Sequence, residues 1–159
     1  MSYCFNPNCL KLKNPTEAKF CLSCNASLLL KDRYRGLEII GQGGRGRTLL
    51  AVDRHNPKEE LYCIIKQLYP KNNSGDSSTV NLFKTEVDTL NKLGQHPQIP
   101  QLYDYFELDK YQYLVQEWIE GNNLRQSIAK KGLFSDRAII QLLANLLPVL
   151  AYIHIKREL

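Results

Sequence analysis

From Tyr34 onward, apolar and polar positions lay out a sheet first and helices afterwards. Leu37, Ile39 and Ile40 lead into a glycine-rich turn, and Leu49, Leu50, Ala51 and Val52 leave it. Short branched runs on either side of glycine read as the two strands of a hairpin. Leu61–Leu68, β-branched at Ile64 and Ile65, is a third strand. Leu102–Leu108 and Tyr111–Ile119 are two more, tightly connected at Asp109-Lys110. Asn56-Pro57 is a turn signal, and Lys71–Thr79, made largely of Asn, Ser, Gly and Asp, reads as a loop. From Val80 to Leu93 the period changes. Leu82, Phe83, Val87, Leu90 and Leu93 recur at helical spacing, Gly94 closes the helix, and Pro97 and Pro100 prevent its resumption.

Gly121-Asn122-Asn123 breaks the pattern again. A short helix, Leu124–Lys131, follows, and Ser135 is the expected N-cap of a long one reaching His154. Between Ala138 and Ile153 that helix is interrupted by only two polar residues, Gln141 and Asn145, so it calls for burial on every side. Its length barely suffices for a bilayer. Gln141, Asn145, Pro148 and His154 favour a buried core helix over a membrane span, and Pro148 is expected to kink it.

Apolar residues make up 43% of the 159, enough for a packed core and too many for a disordered chain. The length allows one ordinary domain, or a small module plus part of a larger one. The net charge of +5 is dispersed along the chain and calls for no nucleic-acid partner. Met1–Leu10 lacks the apolar core of a secretory signal. The expected location is therefore the reducing cytoplasm, where clustered cysteines point to metal rather than to disulfides.

Four of the five cysteines form such a cluster: Cys4-x4-Cys9-x11-Cys21-x2-Cys24. Two short hairpins, each presenting two thiolates, are what a tetrahedral Zn²⁺ needs, and four sulfur ligands leave no open position for catalysis. Asn25 follows the second pair, where positive φ is often required and Asn is the best choice after Gly. A unit this short has no core of its own, so the metal would supply its folding energy. Its lysines barely outweigh its acids and thiolates, which favours a structural or protein-contacting role over nucleic-acid binding. Cys63 stands apart, inside an apolar strand, as a small buried hydrophobe.

The remaining chemistry lies in three places. Gly41-Gln42-Gly43-Gly44-Arg45-Gly46 is followed by strand-like Thr48–Val52 rather than by a helix, which excludes a dinucleotide-binding turn. A glycine hairpin of this kind can close its backbone over phosphates. Lys66 sits in an otherwise apolar strand, and Glu86 shares a helix face with Leu82, Phe83, Leu90 and Leu93. Each charge, placed where burial is expected, needs the other.

These residues resemble the N-lobe of a bacterial, eukaryotic-type Ser/Thr protein kinase. The phrases GQGGRGRT, IKQLYP, LGQHPQIPQLYDYFE and YLVQEWIEG carry the likeness, and some such kinases have an N-terminal Cys4 zinc ribbon. The resemblance implies an α+β architecture: a zinc ribbon over 1–30, a kinase N-lobe over 34–120 with a five-stranded antiparallel sheet and one helix, and the first helices of a C-lobe over 121–159. It assigns Ile40, Gly41, Gln42, Gly43, Gly44, Gly46 and Thr48 to the phosphate-covering loop, and Lys66 to the α- and β-phosphates of ATP. Glu86 would hold Lys66, Gln116 would be the gatekeeper, and Glu117 and Ile119 would meet the adenine. Cys4, Cys9, Cys21 and Cys24 would hold Zn. Arg45 stands at the loop tip in place of an aromatic, and Ile64 replaces the small residue usual under the adenine. A protein substrate and Mg²⁺ are expected of the full-length kinase. No His-Arg-Asp or Asp-Phe-Gly segment occurs between residues 1 and 159, so the chain is expected to be a truncated kinase, inactive alone. The helix from Ser135 to His154, normally buried in the C-lobe, is then expected to expose its apolar surface and to invite association, with a complementary C-lobe chain as one partner. The alternative is a non-catalytic interaction module.

Overall fold

The computed structural model describes residues 1–55, 60–69, 77–93 and 96–157, without side-chain detail for 77–83 and 157. The expected turn at Asn56-Pro57, most of the 71–79 loop, the packing of Leu82 and Phe83, and Gly94 therefore lie outside the described residues.

Three two-residue strands, β1 (Ser2–Tyr3), β2 (Lys13–Asn14) and β3 (Leu29–Leu30), belong to the cysteine unit. The five long strands expected from the sequence follow: β4 (Tyr34–Gly43), β5 (Gly46–Asp53), β6 (Leu61–Leu68), β7 (Leu102–Leu108) and β8 (Tyr111–Glu117), with helix α1 (Ser77–Leu93) between β6 and β7. Helices α2 (Leu124–Lys131) and α3 (Asp136–Arg157) complete the chain. β8 stops at Glu117, short of the expected Ile119. α1 begins at Ser77 rather than Val80, because its first turn takes the last residues of what reads as a polar loop.

The sheet is antiparallel and larger than the five strands expected. Its order is β2-β1-β4-β5-β6-β8-β7, with β3 also paired to β4. Tyr3 pairs with Gly36, and Leu29 and Leu30 pair with Arg35 and Tyr34, so the cysteine unit is hydrogen-bonded into the lobe. A Cβ on Gly36 would meet the Phe5 ring, Leu49 and the Tyr3 carbonyl at 3.2–3.3 Å, which explains glycine at this junction. Residues 31–33, the charged joint between the cysteine unit and β4, are fastened at both ends. Lys31 pairs with Asp104 at 2.9 Å, and Arg33 grips Asp53 through two bonds of 2.8 and 2.5 Å.

Strand alternation separates two faces. Leu49, Ala51, Cys63, Ile65, Tyr113 and Val115 point to one side, where Phe5, Leu30 and Tyr34 bury them. Cys63 is fully buried there, as expected of a small hydrophobe, and burial pushes its thiol up to about 12. Leu114 and Leu68 point to the other side and meet Val87 and Leu90 of α1. The β7–β8 turn puts Asp109 and Lys110 at φ 50° and 68°, the left-handed pair a two-residue hairpin favours.

Asn123 caps α2 in a reciprocal bond with Gln126. Ser135 caps α3 as expected, accepting from the Ala138 amide at 3.3 Å. α3 continues through Pro148 as one helix. Tyr152 ties it to α1 by donating to the Leu93 carbonyl at 2.6 Å. The burial that its composition calls for is only partial among the described residues, as expected of this helix without the rest of a C-lobe. Ile140, Leu143, Leu147 and Leu150 are half exposed or more, because the described chain covers only the side near Val149 and Tyr152.

Candidate functional site

The glycine segment is a tight hairpin rather than a wide loop. Pairing of β4 with β5 runs through Gly41↔Thr48, Gln42↔Arg47 and Gly43↔Gly46, leaving only Gly44 and Arg45 as the turn. Register shifts between Ile39 and Gly41 bulge the strand at Ile40, whose side chain is half exposed. Gly46 has a purely steric reason to be glycine: a Cβ there would sit 2.2 Å from the Gln67 carbonyl oxygen. At Gly43 and Gly44 a Cβ would meet nothing within 4 Å, so packing within the described chain does not demand glycine at either position.

Beneath the hairpin lies an open groove of about 350 Å³, lined in part by Gly41, Gly43, Gly46, Thr48, Lys66 and Leu68. Lys66 pairs with Thr48 across the β5–β6 ladder and sends its ammonium to α1, where Nζ donates to Glu86 Oε1 at 2.5 Å. Val87 and Leu90 fix the helix against the sheet and bring Glu86 within reach. The two side chains keep 33% and 39% exposure. They meet as expected but are not buried, and Lys66 opens onto the groove. Gln116 pairs with Ile64 at the far end of β6, and Glu117 pairs with Cys63. The Glu117 amide donates to the Gln101 carbonyl at 2.8 Å, and its carboxylate accepts from the Gln101 amide. Ile119 follows beyond the strand, exposed. The hairpin and Lys66 thus share one groove, while Glu86, bonded to Lys66, lies outside its lining, as do Glu117 and Ile119.

The four N-terminal cysteines converge. Their Sγ atoms all lie within 4.8 Å of one another, with Cys4–Cys24 and Cys9–Cys21 each 3.6 Å apart. A tetrahedron of Zn–S bonds has edges of about 3.8 Å, so the spacing fits zinc and is far from a disulfide. Asn25 takes φ 56°, the left-handed turn expected after the second pair. The Asn6 amide points at Cys4 Sγ at 3.4 Å. Burial pushes the Cys4 and Cys9 thiols up. Cys21 is also buried, yet amide donors at Cys24 and Ser23 draw it down to about 6.

Two residues behind the groove carry no sequence-based expectation. Arg47 and Gln67, neighbours of Gly46 and Lys66, point to the ribbon side and are almost fully buried. Arg47 Nε donates to Gln67 Oε1 at 2.6 Å, and its Nη2 donates to the Cys4 carbonyl at 3.1 Å. Gln67 Nε2 donates to the Phe5 carbonyl and to Tyr113 Oη at 2.9 and 2.8 Å. One signal was available: each polar residue ends an apolar same-face series and so requires a buried partner.

The protein kinase domain model matches residues 34–158. The chain belongs to the protein kinase family. Serine/threonine-protein kinase B of Synechocystis sp. is 43% identical over 156 residues, covering 97% of this chain and 27% of that protein. Serine/threonine-protein kinase C of the same organism is 48% identical over 132 residues, 81% of this chain and 24% of that protein. PknA of Nostoc sp. is 41% identical over 132 residues, 81% of this chain and 23% of that protein. The chain spans about a quarter of the length of these relatives. The match to kinase B takes in the cysteine unit along with the lobe.

Proposed function

We propose that this kinase-family chain binds ATP in the groove between the glycine hairpin and Lys66, as the nucleotide-binding front of a Ser/Thr protein kinase. The observation that carries the reading is the Lys66–Glu86 pair beneath the hairpin. Lys66 contacts the α- and β-phosphates and Glu86 holds its ammonium in place. Gly41, Gly43, Gly44 and Gly46, with Ile40, Gln42 and Thr48, cover the phosphates. Open space around Gly43 and Gly44 suits close backbone approach to a ligand. Glu117 and Ile119 meet the adenine through their backbone, and Ile64, 7% exposed, narrows the slot beneath it.

On this reading the whole kinase transfers the ATP γ-phosphoryl group to Ser or Thr hydroxyls of protein substrates, with Mg²⁺ neutralising the phosphates. Residues 1–159 hold the clamp and contain no His-Arg-Asp or Asp-Phe-Gly segment. By themselves they bind nucleotide without turning it over. Cys4, Cys9, Cys21 and Cys24 hold a structural Zn²⁺, which when bound cross-links the two hairpins of the ribbon. The organisation is a ribbon over 1–30, an N-lobe over 34–120 and the start of a C-lobe over 121–159, in the cytoplasm. The apolar side of α3 meets protein, with a complementary C-lobe chain as one candidate, rather than lipid. Its length and composition would suit a membrane, but the kinase match runs through it.

The test is thermal unfolding with and without Mg-ATP. Saturating nucleotide raises the melting temperature of the wild type, and Lys66→Ala abolishes the rise. No rise in the wild type would favour a non-catalytic interaction module.

A further inference from the structure

We propose that Arg47 and Gln67 are positioning residues that couple the cysteine centre to the glycine hairpin, so that the ribbon sets the geometry of the groove from the opposite face of the sheet. The consequence for nucleotide rests on the function proposed above, whereas the coupling itself does not.

Alternation makes the link direct. Thr48, Lys66, Arg47 and Gln67 all border the groove, but the side chains of Arg47 and Gln67, paired across the same ladder, are buried on the other side and bond to the cysteine unit. Gly46 abuts the Gln67 backbone so closely that a single carbon cannot be inserted between them. The turn residue Arg45 is tied to the same strand's exit, its carbonyl accepting from the Tyr69 amide at 3.0 Å. Whatever fixes Gln67 therefore fixes the hairpin tip. Gln67 is fixed by the Phe5 carbonyl, by Tyr113 and by Arg47, and Arg47 in turn is fixed by the Cys4 carbonyl.

Those two carbonyls belong to the first cysteine turn. Cys4 belongs to the sulfur cluster, and Phe5 follows it. Four thiolates around one divalent ion form a net dianion, a fitting counter-charge for a guanidinium that is 3% exposed and donates to two neutral oxygens, Gln67 Oε1 and the Cys4 carbonyl. If the turn loses its shape, Arg47 and Gln67 lose two buried bonds together. Each unsatisfied group then favours a rearrangement of β5 and β6 where Gly46 and Lys66 sit.

Hydrogen–deuterium exchange on the zinc-loaded 1–159 chain tests this, with zinc content measured in parallel. Arg47→Met and Gln67→Leu should retain zinc, while amides over 41–48 exchange at least roughly tenfold faster, as expected for losing a buried charged hydrogen bond. Amides of α3 should exchange as in the wild type. Arg47→Lys, which keeps the charge but cannot fork to both acceptors, should fall between, and it decides by the same criterion if Arg47→Met does not fold. Unchanged exchange over 41–48 with zinc retained would overturn the proposal. So would acceleration spread evenly over the chain, which marks a merely structural role. Mg-ATP affinity of the same samples keeps the two readings apart. If the wild type fails to bind, the nucleotide site is lost as an idea, while the amide result stands.

Discussion

The two faces of the kinase sheet are built by alternate residues of the same strands, yet they have opposite characters. On the ribbon face, Leu49, Ala51, Ile65 and Val115 are completely buried, and Arg47 and Gln67 are bonded to backbone carbonyls. On the groove face, Lys66 and Glu86 stay a third exposed and the glycines border open space. The difference separates two duties within one hairpin. The back closes on itself and holds shape, while the front keeps charge and backbone accessible for a ligand. Substitutions on the back should therefore change stability, and those on the front should change binding.

The largest effect is expected where the proposed zinc would cross-link the back. Cys21→Ser removes one of four converging sulfurs. Zinc affinity should collapse, and with it most of a binding free energy of order 10 kcal/mol that supports the ribbon fold. Zinc content and circular dichroism read this directly, and an unchanged melt would break the idea that the back depends on metal. Next comes Ile65→Ala, a fully buried truncation under the ribbon. Its cost should be about 2–4 kcal/mol by urea titration. A cost below about 1 kcal/mol would mean that the ribbon does not seal this face.

A smaller effect belongs to the fastened joint. The Arg33 guanidinium holds the Asp53 carboxyl below its usual range. The folded state thus binds that proton less readily than the unfolded one. The stabilisation is full above about pH 4 and is lost as the pH falls through the lowered folded value. Asp53→Asn should cost about 1–2 kcal/mol at neutral pH, discounted for the partly exposed Arg33, and should flatten the acid limb of the stability curve. An acid limb identical to the wild type would remove the joint from the account.

Much of the groove face was legible in the sequence. Lys66 in an apolar strand and Glu86 on an apolar helix stripe announce each other through the cost of burying either alone. Asn25 and the Asp109-Lys110 turn were readable because few residues tolerate left-handed backbone. The ribbon face was harder. Two-residue strands carry no periodicity, so the merging of β1 and β3 with the kinase sheet left no local trace. Besides each other and Tyr113, Arg47 and Gln67 bond main-chain carbonyls 43 and 62 residues away, and a carbonyl has no sequence signature. α3 was legible from composition: it calls for burial that residues 1–159 were not expected to supply, and the described residues cover only one side of it.

The central claim is that the front of the sheet binds a nucleoside triphosphate through Lys66. Isothermal titration of Mg-ATP into the wild type and Lys66→Ala tests it most directly. The exposed ion pair contributes no more than about 1 kcal/mol to folding, so the variant should melt almost as the wild type does. Saturable binding in the wild type that disappears in the folded variant is the predicted result. Equal binding in both, or none in either, would contradict it.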